Sequence, residues 1–178
     1  MSGKKISTLD KTAAQVIDAE HQRRGFKRDQ LTRLHFNPNL YAIGYHYVID
    51  LDGSVQTGRS LEDVGAHAAG FNQASVGICL IGGKERTGKY TSKQWGALMN
   101  LVCLLAAQLK IPLAPPQRLN DKSIKNGICG HRDLSPDLNK NGQIEPNEWT
   151  KTCPGFDVSS WLKRSMVPAS EHIIRSEI

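Results

Sequence analysis

Between Thr91 and Lys110, Trp95, Leu98, Met99, Val102, Leu105, Ala106 and Leu109 share one face of a helix, with Thr91 or Ser92 as its cap. A helix of that length with a single apolar stripe must cover another layer. Ser75 to Ile81 is a continuous apolar run closed by Gly82-Gly83, the pattern of a buried central strand. Tyr45-His46-Tyr47-Val48-Ile49 reads as a second strand, and Asp52-Gly53 turns it back into Ser54-Val55-Gln56-Thr57.

The remaining segments fit around this pair. Ala13, Ala14, Val16, Ile17 and Ala19 keep helical spacing from Lys11 to Arg24, and Gly25 offers a stop. Phe26 to Asn39 reads as a polar, basic connection with a turn at Asn37-Pro38-Asn39. Pro112, Pro115 and Pro116 end the long helix and open an irregular loop. Ile128-Cys129-Gly130 is a short strand candidate, and Asp157 caps a final helix to Arg164. Strands alternating with helices predict an α/β fold, a single domain with a central mixed β-sheet flanked by helices. Its expected limits are residues 7–164, with 165–178 as a tail without a packing pattern.

Composition narrows the function. The 178 residues suit one domain, and 39% apolar with 22% charged residues argues against a wholly disordered chain. The longest apolar-rich stretch, Leu98 to Leu109, is interrupted by Asn100 and Gln108 and is short of the ~20 residues that cross a bilayer. No stable membrane insertion is expected. Basic residues near Met1 are followed by no apolar core, so no signal peptide is expected. Cys79, Cys103, Cys129 and Cys153 are too few and too scattered for a disulfide scaffold, and the first two are expected to be small buried hydrophobes. The net charge of +6 suits an anionic partner, but the basic residues are too dispersed to predict nucleic-acid binding.

The chemistry gathers between His131 and Cys153. An imidazole and a thiolate suit Zn²⁺, and they can meet only if the segment between them loops out. A surface histidine and a structural thiol would read the same way. Lys151 lies two residues from Cys153, so in an extended segment both project to one side. There it could lower the thiol's pKa or stand beside an oxyanion.

A series of motifs then runs in order along the chain. It includes Gly44-Tyr45-His46-Tyr47-Val48-Ile49, Gly58-Arg59, Gly65-Ala66-His67-Ala68 and Gly70-Phe71-Asn72. Ser75-Val76-Gly77-Ile78, Gly130-His131-Arg132-Asp133 and Lys151-Thr152-Cys153-Pro154-Gly155-Phe156-Asp157 continue it. Over Lys11 to Leu162 this resembles the zinc-dependent N-acetylmuramoyl-L-alanine amidases of the phage-lysozyme and peptidoglycan-recognition-protein type.

The resemblance implies bacterial peptidoglycan as partner and cleavage of the amide between N-acetylmuramic acid and L-alanine. It implies His131 and Cys153 as zinc ligands, and Tyr45 and Lys151 as active-site residues. Tyr45 and His46 are neighbours on a strand and so face opposite sides, which leaves His46 a buried or supporting role. His67, in a Gly/Ala-rich turn, is a candidate substrate contact or a structural histidine. The family's first zinc histidine stands on a strand ahead of the first helix, and this sequence begins about ten residues before that helix without such a strand. Losing an inner strand leaves backbone groups unpaired. A start assigned too late or a truncated copy is therefore expected ahead of a refined non-catalytic design.

A second motif lies inside the His131–Cys153 segment. Asp137 to Glu148 matches the twelve-position calcium loop D-x-[DN]-x-[DN]-G-x₅-E. Asp137, Asn139 and Asn141 would supply side-chain oxygens, Gln143 a backbone carbonyl and Glu148 a bidentate carboxylate. Bound Ca²⁺ would close the loop so that His131 and Cys153 converge. A metal-free loop rich in Asx turns is the alternative.

The leading expectation is a phage or prophage endolysin, cytoplasmic until released to the cell wall. The runner-up is a non-catalytic peptidoglycan-binding module that has lost a zinc ligand. A cysteine hydrolase using Cys153 and His131 ranks lower, because Pro154 follows Cys153 directly and no catalytic-cysteine signature is present.

Overall fold

A computed structural model describes residues 11–82, 88–120 and 123–174. The expected domain start at 7–10 and Gly83 lie outside the described residues. Backbone contacts divide the chain into two units, with the break between Ile81 and Gly82.

In the N-terminal unit, α1 (Ala13–Arg23) begins in a capping box. Gln15 N donates to Thr12 Oγ1 at 3.2 Å, and Thr12 N donates to Gln15 Oε1 at 2.8 Å. Gly25 ends the run with φ +80°. The helix buries Ala13 and Ala14 against Leu40, Ile43, Val48 and Ile81. Asp18, 5% exposed, fixes the chain that follows: Ala42 N and Ile43 N donate to its Oδ1 at 2.6 and 2.7 Å.

The sheet has three strands, β1 (Tyr47–Ile49), β2 (Val55–Thr57) and β3 (Ile78–Leu80). Their order is β2-β1-β3, antiparallel on one side and parallel on the other, with Val48 opposite both Gln56 and Cys79. This is the expected mixed sheet with helices. The expected centre was wrong, however. The Ser75–Ile81 run supplies β3, which is half-buried and lies at the edge of the described sheet, while β1 is central. An uninterrupted apolar run cannot by itself distinguish a central strand from an edge strand covered on both faces.

The connection expected between Phe26 and Asn39 contains a helix, α2 (Gln30–His35), capped by Asp29, whose carboxylate accepts from Leu31 N and Thr32 N at 3.0 Å. No residue of α2 is buried, so no apolar stripe announced it.

In the C-terminal unit, α3 (Ser92–Leu109) has the expected Thr91 cap, completed by Gln94. Its buried face is Gln94, Trp95, Leu98, Leu101, Val102, Leu105 and Ala106. Met99 and Leu109, expected there, are 36% and 39% exposed. The loop after the prolines holds a two-stranded ladder, β4 (Gln117–Asn120) and β5 (Ser123–Lys125). Ile128–Gly130 is extended but forms no strand; Ile128 N donates to Ala114 O at 2.8 Å. The last helix, α4 (Val158–Lys163), is capped by Asp157 as expected.

Tyr90, Trp95, Phe156 and Trp161 pack ring against ring at centroid distances of 4.6–6.0 Å. The segment after α4 joins them. Trp95 Nε1 donates to His172 O at 3.0 Å, and Tyr90 bridges to Ile173. All four cysteines are free thiols, and Cys79 and Cys103 are half-buried, not buried as expected. Among the described residues no helix is long and apolar enough to cross a membrane.

Candidate active site

His131, Lys151 and Cys153, with the five calcium-loop candidates between Asp137 and Glu148, belong to the C-terminal unit. Arg132 N donates to Cys153 O at 3.0 Å, which draws the short 3₁₀ turn that starts at His131 beside the segment carrying Cys153. The 21 residues between His131 and Cys153 do loop out, and the base of that loop is closed by side chains. Thr150 N donates to the hydroxyl of Ser135, a residue 1% exposed, at 3.0 Å. The Arg132 guanidinium lies over the Trp149 ring at 4.4 Å and donates to Asp157 Oδ2 at 2.8 Å. Arg118 donates to the carbonyls of Asp133 and Ser135, both at 2.8 Å.

Cys153 is held on its other side too. The Tyr90 hydroxyl donates to Pro154 O at 2.6 Å, and Gly130 sits so close to the Pro154 ring that a Cβ there would come within 2.6 Å of Cδ. Both contacts are made to Pro154 and neither uses the Cys153 side chain.

Electrostatics prepare the pair unequally. Burial, aided by the Lys151 ammonium, lowers the His131 pKa, so the ring stays neutral and can offer a lone pair. Partial desolvation raises the Cys153 thiol, opposed by Lys151. The Lys151 ammonium therefore acts on both. Cys129, by contrast, is pushed up to about 12 by burial and then by Asp133, and is an inert thiol. Imidazole and thiol are a donor set that fits zinc. Among the described residues no group of three His, Cys, Asp or Glu side chains is arranged to hold a metal.

The calcium-loop oxygens are turned onto the loop itself. Gly142 N donates to Asp137 Oδ2 at 2.7 Å, and Asn141 N donates to Asn139 Oδ1 at 2.9 Å. Gln143 N donates to Asn141 Oδ1 at 2.8 Å. Glu148, 4% exposed, accepts from the backbone of Leu138, Asn139 and Glu145 at 2.8–3.1 Å. Those three bonds, led by that from Glu145, hold its carboxyl below the usual range.

Tyr45, His46 and His67 belong to the N-terminal unit. The Tyr45 ring is stacked on His67 at 6.2 Å and tilted against His21 at 5.4 Å. His46 is buried as expected, at 1% exposed, but it and Tyr45 precede β1 instead of alternating on it, and its ring meets His67 at 5.6 Å. Gly77 N donates to His46 Nδ1 at 2.9 Å, which puts the proton on Nε2, facing Asp63 O at 3.0 Å. His67 is boxed in: a Cβ on Gly65 or Gly77 would collide with its ring. Its Nδ1 lies 3.3 Å from Gly44 O and its Nε2 3.1 Å from the Ser75 hydroxyl.

Sequence reasoning missed Arg59 and Arg132. Arg59 donates from Nε to Ile43 O at 2.7 Å, from Nη1 to Val64 O at 2.6 Å and from Nη2 to Lys27 O at 3.0 Å. The signal was present in Gly58-Arg59 and His131-Arg132-Asp133, where a lone arginine stands beside a glycine or a candidate ligand.

His21 and His46 give a pH prediction. Each accepts a backbone N–H at Nδ1, from Gly44 and Gly77 respectively, and burial lowers both pKa values from the ordinary 6.5. The unfolded chain therefore binds protons first as pH falls. The stability contributed is complete above about 6.5 and is lost as pH drops to the lower folded values. Melting temperature is expected to fall between about pH 7 and pH 5, and less steeply in His46→Asn. A flat wild-type profile across that interval would contradict this.

The sequence profile of the Amidase_2 family, N-acetylmuramoyl-L-alanine amidase, matches residues 7–156, and the chain belongs to this family. It is 46% identical to an uncharacterized protein of Haemophilus influenzae over 129 residues, covering 70% of this chain and 99% of that one. It is 27% identical to the endolysin of Klebsiella phage KP32 over 143 residues, covering 80% and 79% of the two chains. Among solved structures, the N-acetylmuramoyl-L-alanine amidase LysC from Clostridium intestinale matches with a TM-score of 0.49 and 26% identity, over 77% of this chain and 72% of that one.

Proposed function

We propose that this protein hydrolyses the amide between the lactyl group of N-acetylmuramic acid and the L-alanine of the peptidoglycan stem peptide, in an endolysin-type role on the bacterial wall. The observation that carries this reading is the His131–Cys153 pair, tied by the Arg132–Cys153 backbone bond and flanked by Lys151, in a chain of the amidase family.

His131 and Cys153 would hold zinc, which when bound lowers the pKa of its water toward ~7 and polarises a carbonyl. The protein's own part is separable. Neutral His131 needs no deprotonation to act as a ligand. The Lys151 ammonium meets the negative charge that develops on the amide oxygen during hydrolysis. Tyr45 is assigned, on the family resemblance, as a further hydroxyl donor in turnover, and His67 as a substrate contact.

The assay is release of new amino termini from purified peptidoglycan by the zinc-loaded chain. New L-alanine amino termini without new reducing ends are expected. Tyr45→Phe and Lys151→Ala are expected to retain zinc while turnover falls by ~10²–10³-fold, the usual loss for one donor to a developing oxyanion. New reducing ends, or unchanged turnover in both variants, would refute the assignment.

That no three-donor group is found among the described residues favours one second reading, a peptidoglycan-binding module without turnover. Retained sedimentation with wall fragments, with neither bound zinc nor released amino termini, would establish it.

Asp137, Asn139, Asn141, Gln143 and Glu148 are assigned to a calcium loop whose role is structural. The full motif match and the inward Glu148 support this, as does the Ser135–Thr150 closure at the loop's base. Calcium at about a hundred times its Kd is expected to raise the melting temperature by several degrees, and Asp137→Ala to abolish the shift. An unshifted wild-type transition would remove calcium from the account.

A further inference from the structure

Helix α2 contributes nothing to the core. None of its residues is buried, and Leu31 and Leu34, one turn apart on one face, are 69% and 55% exposed. Phe36, just beyond the helix, is also exposed. A helix of six residues has no stability of its own. Here polar groups hold it instead. Asp29 caps the first turn, and the Arg28 guanidinium donates to the carbonyls of Phe36, Asn37 and Leu40 at 2.9–3.1 Å and to Asp63 at 3.2 Å. The scaffold thus presents two leucines and a phenylalanine to solvent without using them to fold.

Charge surrounds these side chains. From Gln22 to Phe36 there are five Lys and Arg against Asp29 alone, so +4 of the chain's +6 lies in this stretch. Arg28 is consumed by its carbonyls and the half-buried Arg33 donates to Pro38 O, whereas Arg24 and Lys27 stand at the surface. Arg24 lies over the Phe26 ring at 4.9 Å and Arg33 over the Tyr41 ring at 4.3 Å. A guanidinium placed over a ring can still donate N–H groups to a phosphate. Beside α2 a cavity of about 330 Å³ is lined by Phe26, Lys27, Gln30, Arg33 and Tyr41 among others.

We propose that this face docks on an anionic lipid surface, with the phosphate of a headgroup in the cavity and Leu31, Leu34 and Phe36 at the acyl boundary. Apolar side chains ringed by cations are the pattern that lies in a membrane interface without crossing it. A hydroxyl-rich glycan would gain little from two aliphatic leucines, and a second copy would bring like charge against like. The inference is independent of the amidase reading.

The test is co-sedimentation of the full chain with phosphatidylcholine vesicles, with and without about one-third phosphatidylglycerol. Binding is expected only to the anionic vesicles, weakening as salt rises. Leu31→Ser with Leu34→Ser is expected to weaken binding more than about tenfold. Arg24→Gln and Lys27→Gln should each cost about fivefold. All four positions are exposed, so circular dichroism should be unchanged.

Three results would overturn the proposal. One is no preference for anionic vesicles. Another is vesicle binding indifferent to the leucines, which would make the patch a site for a polyanion such as a glycan or nucleic acid. The third is a dimer that the leucine substitutions dissociate.

Discussion

Cys153→Ser and His131→Ala are each expected to release zinc on desalting and to lower amide hydrolysis more than about a hundredfold. Loss of a residue that merely supports a metal ligand costs ~10–100-fold, and loss of the ligand itself costs more. Among the described residues no group of three His, Cys, Asp or Glu side chains is arranged to hold a metal, so no ready-made site replaces either. Serine keeps the size of cysteine but offers a hydroxyl that is not ionised near neutral pH. The fold should survive, because the bond joining the two segments runs from Arg132 N to Cys153 O and uses neither side chain. Zinc content and turnover are therefore measured beside circular dichroism. Full zinc occupancy with full turnover in either variant would refute the assignment.

The same variants separate a zinc hydrolase from a cysteine hydrolase. A nucleophilic cysteine needs a depressed pKa, whereas partial desolvation raises that of Cys153. Chelators should abolish turnover. If they did nothing while alkylation of Cys153 abolished it, the thiol would be the nucleophile.

What could be read from the sequence follows a physical division. Helix α1 was visible from its apolar spacing and the Gly25 stop, and α3 from a capping threonine before an apolar stripe, where local and long-range signals agree. Helix α2 was hidden because Arg28 and Asp29 hold it by hydrogen bonds, and no apolar period marks such a helix. The β4–β5 ladder was hidden for a similar reason, since Gln117–Asn120 and Ser123–Lys125 show no clear alternation. The chain beyond α4 packs through the His172 carbonyl on Trp95 and through backbone bonds to Tyr90, which side-chain patterning does not record.

The site divides likewise. His131, Lys151 and Cys153 were legible as residue types at informative spacings. The parts that bring them together, Ser135 with Thr150, Arg132 with Trp149 and Asp157, and Tyr90 with Pro154, depend on contacts between distant segments.

Arg59 is the clearest case of a residue whose weight no sequence pattern shows, and Arg59→Met is expected to cost ~3–5 kcal/mol. Its side chain, 9% exposed, donates to three carbonyls on three separate segments. Methionine fills much of the volume but leaves Ile43 O, Val64 O and Lys27 O without that donor. Hydrogen bonds from a charged donor are worth ~1.5–3 kcal/mol each, and the three are not additive because the segments relax together. The melting temperature should fall by about 10 °C.

The damage should be local before it is global. Ile43 precedes Gly44-Tyr45, and Val64 precedes Gly65-Ala66-His67, so hydrogen exchange should rise first at those two segments. Arg59→Lys should recover less than half of the loss, because one ammonium cannot reproduce the spread of the fork. Arg23, with 74% of its side chain exposed and paired to Glu20, is the control, and Arg23→Met should leave the transition where it was. A wild-type melting temperature in Arg59→Met would show that solvent satisfies those carbonyls and that the three loops do not need their common arginine.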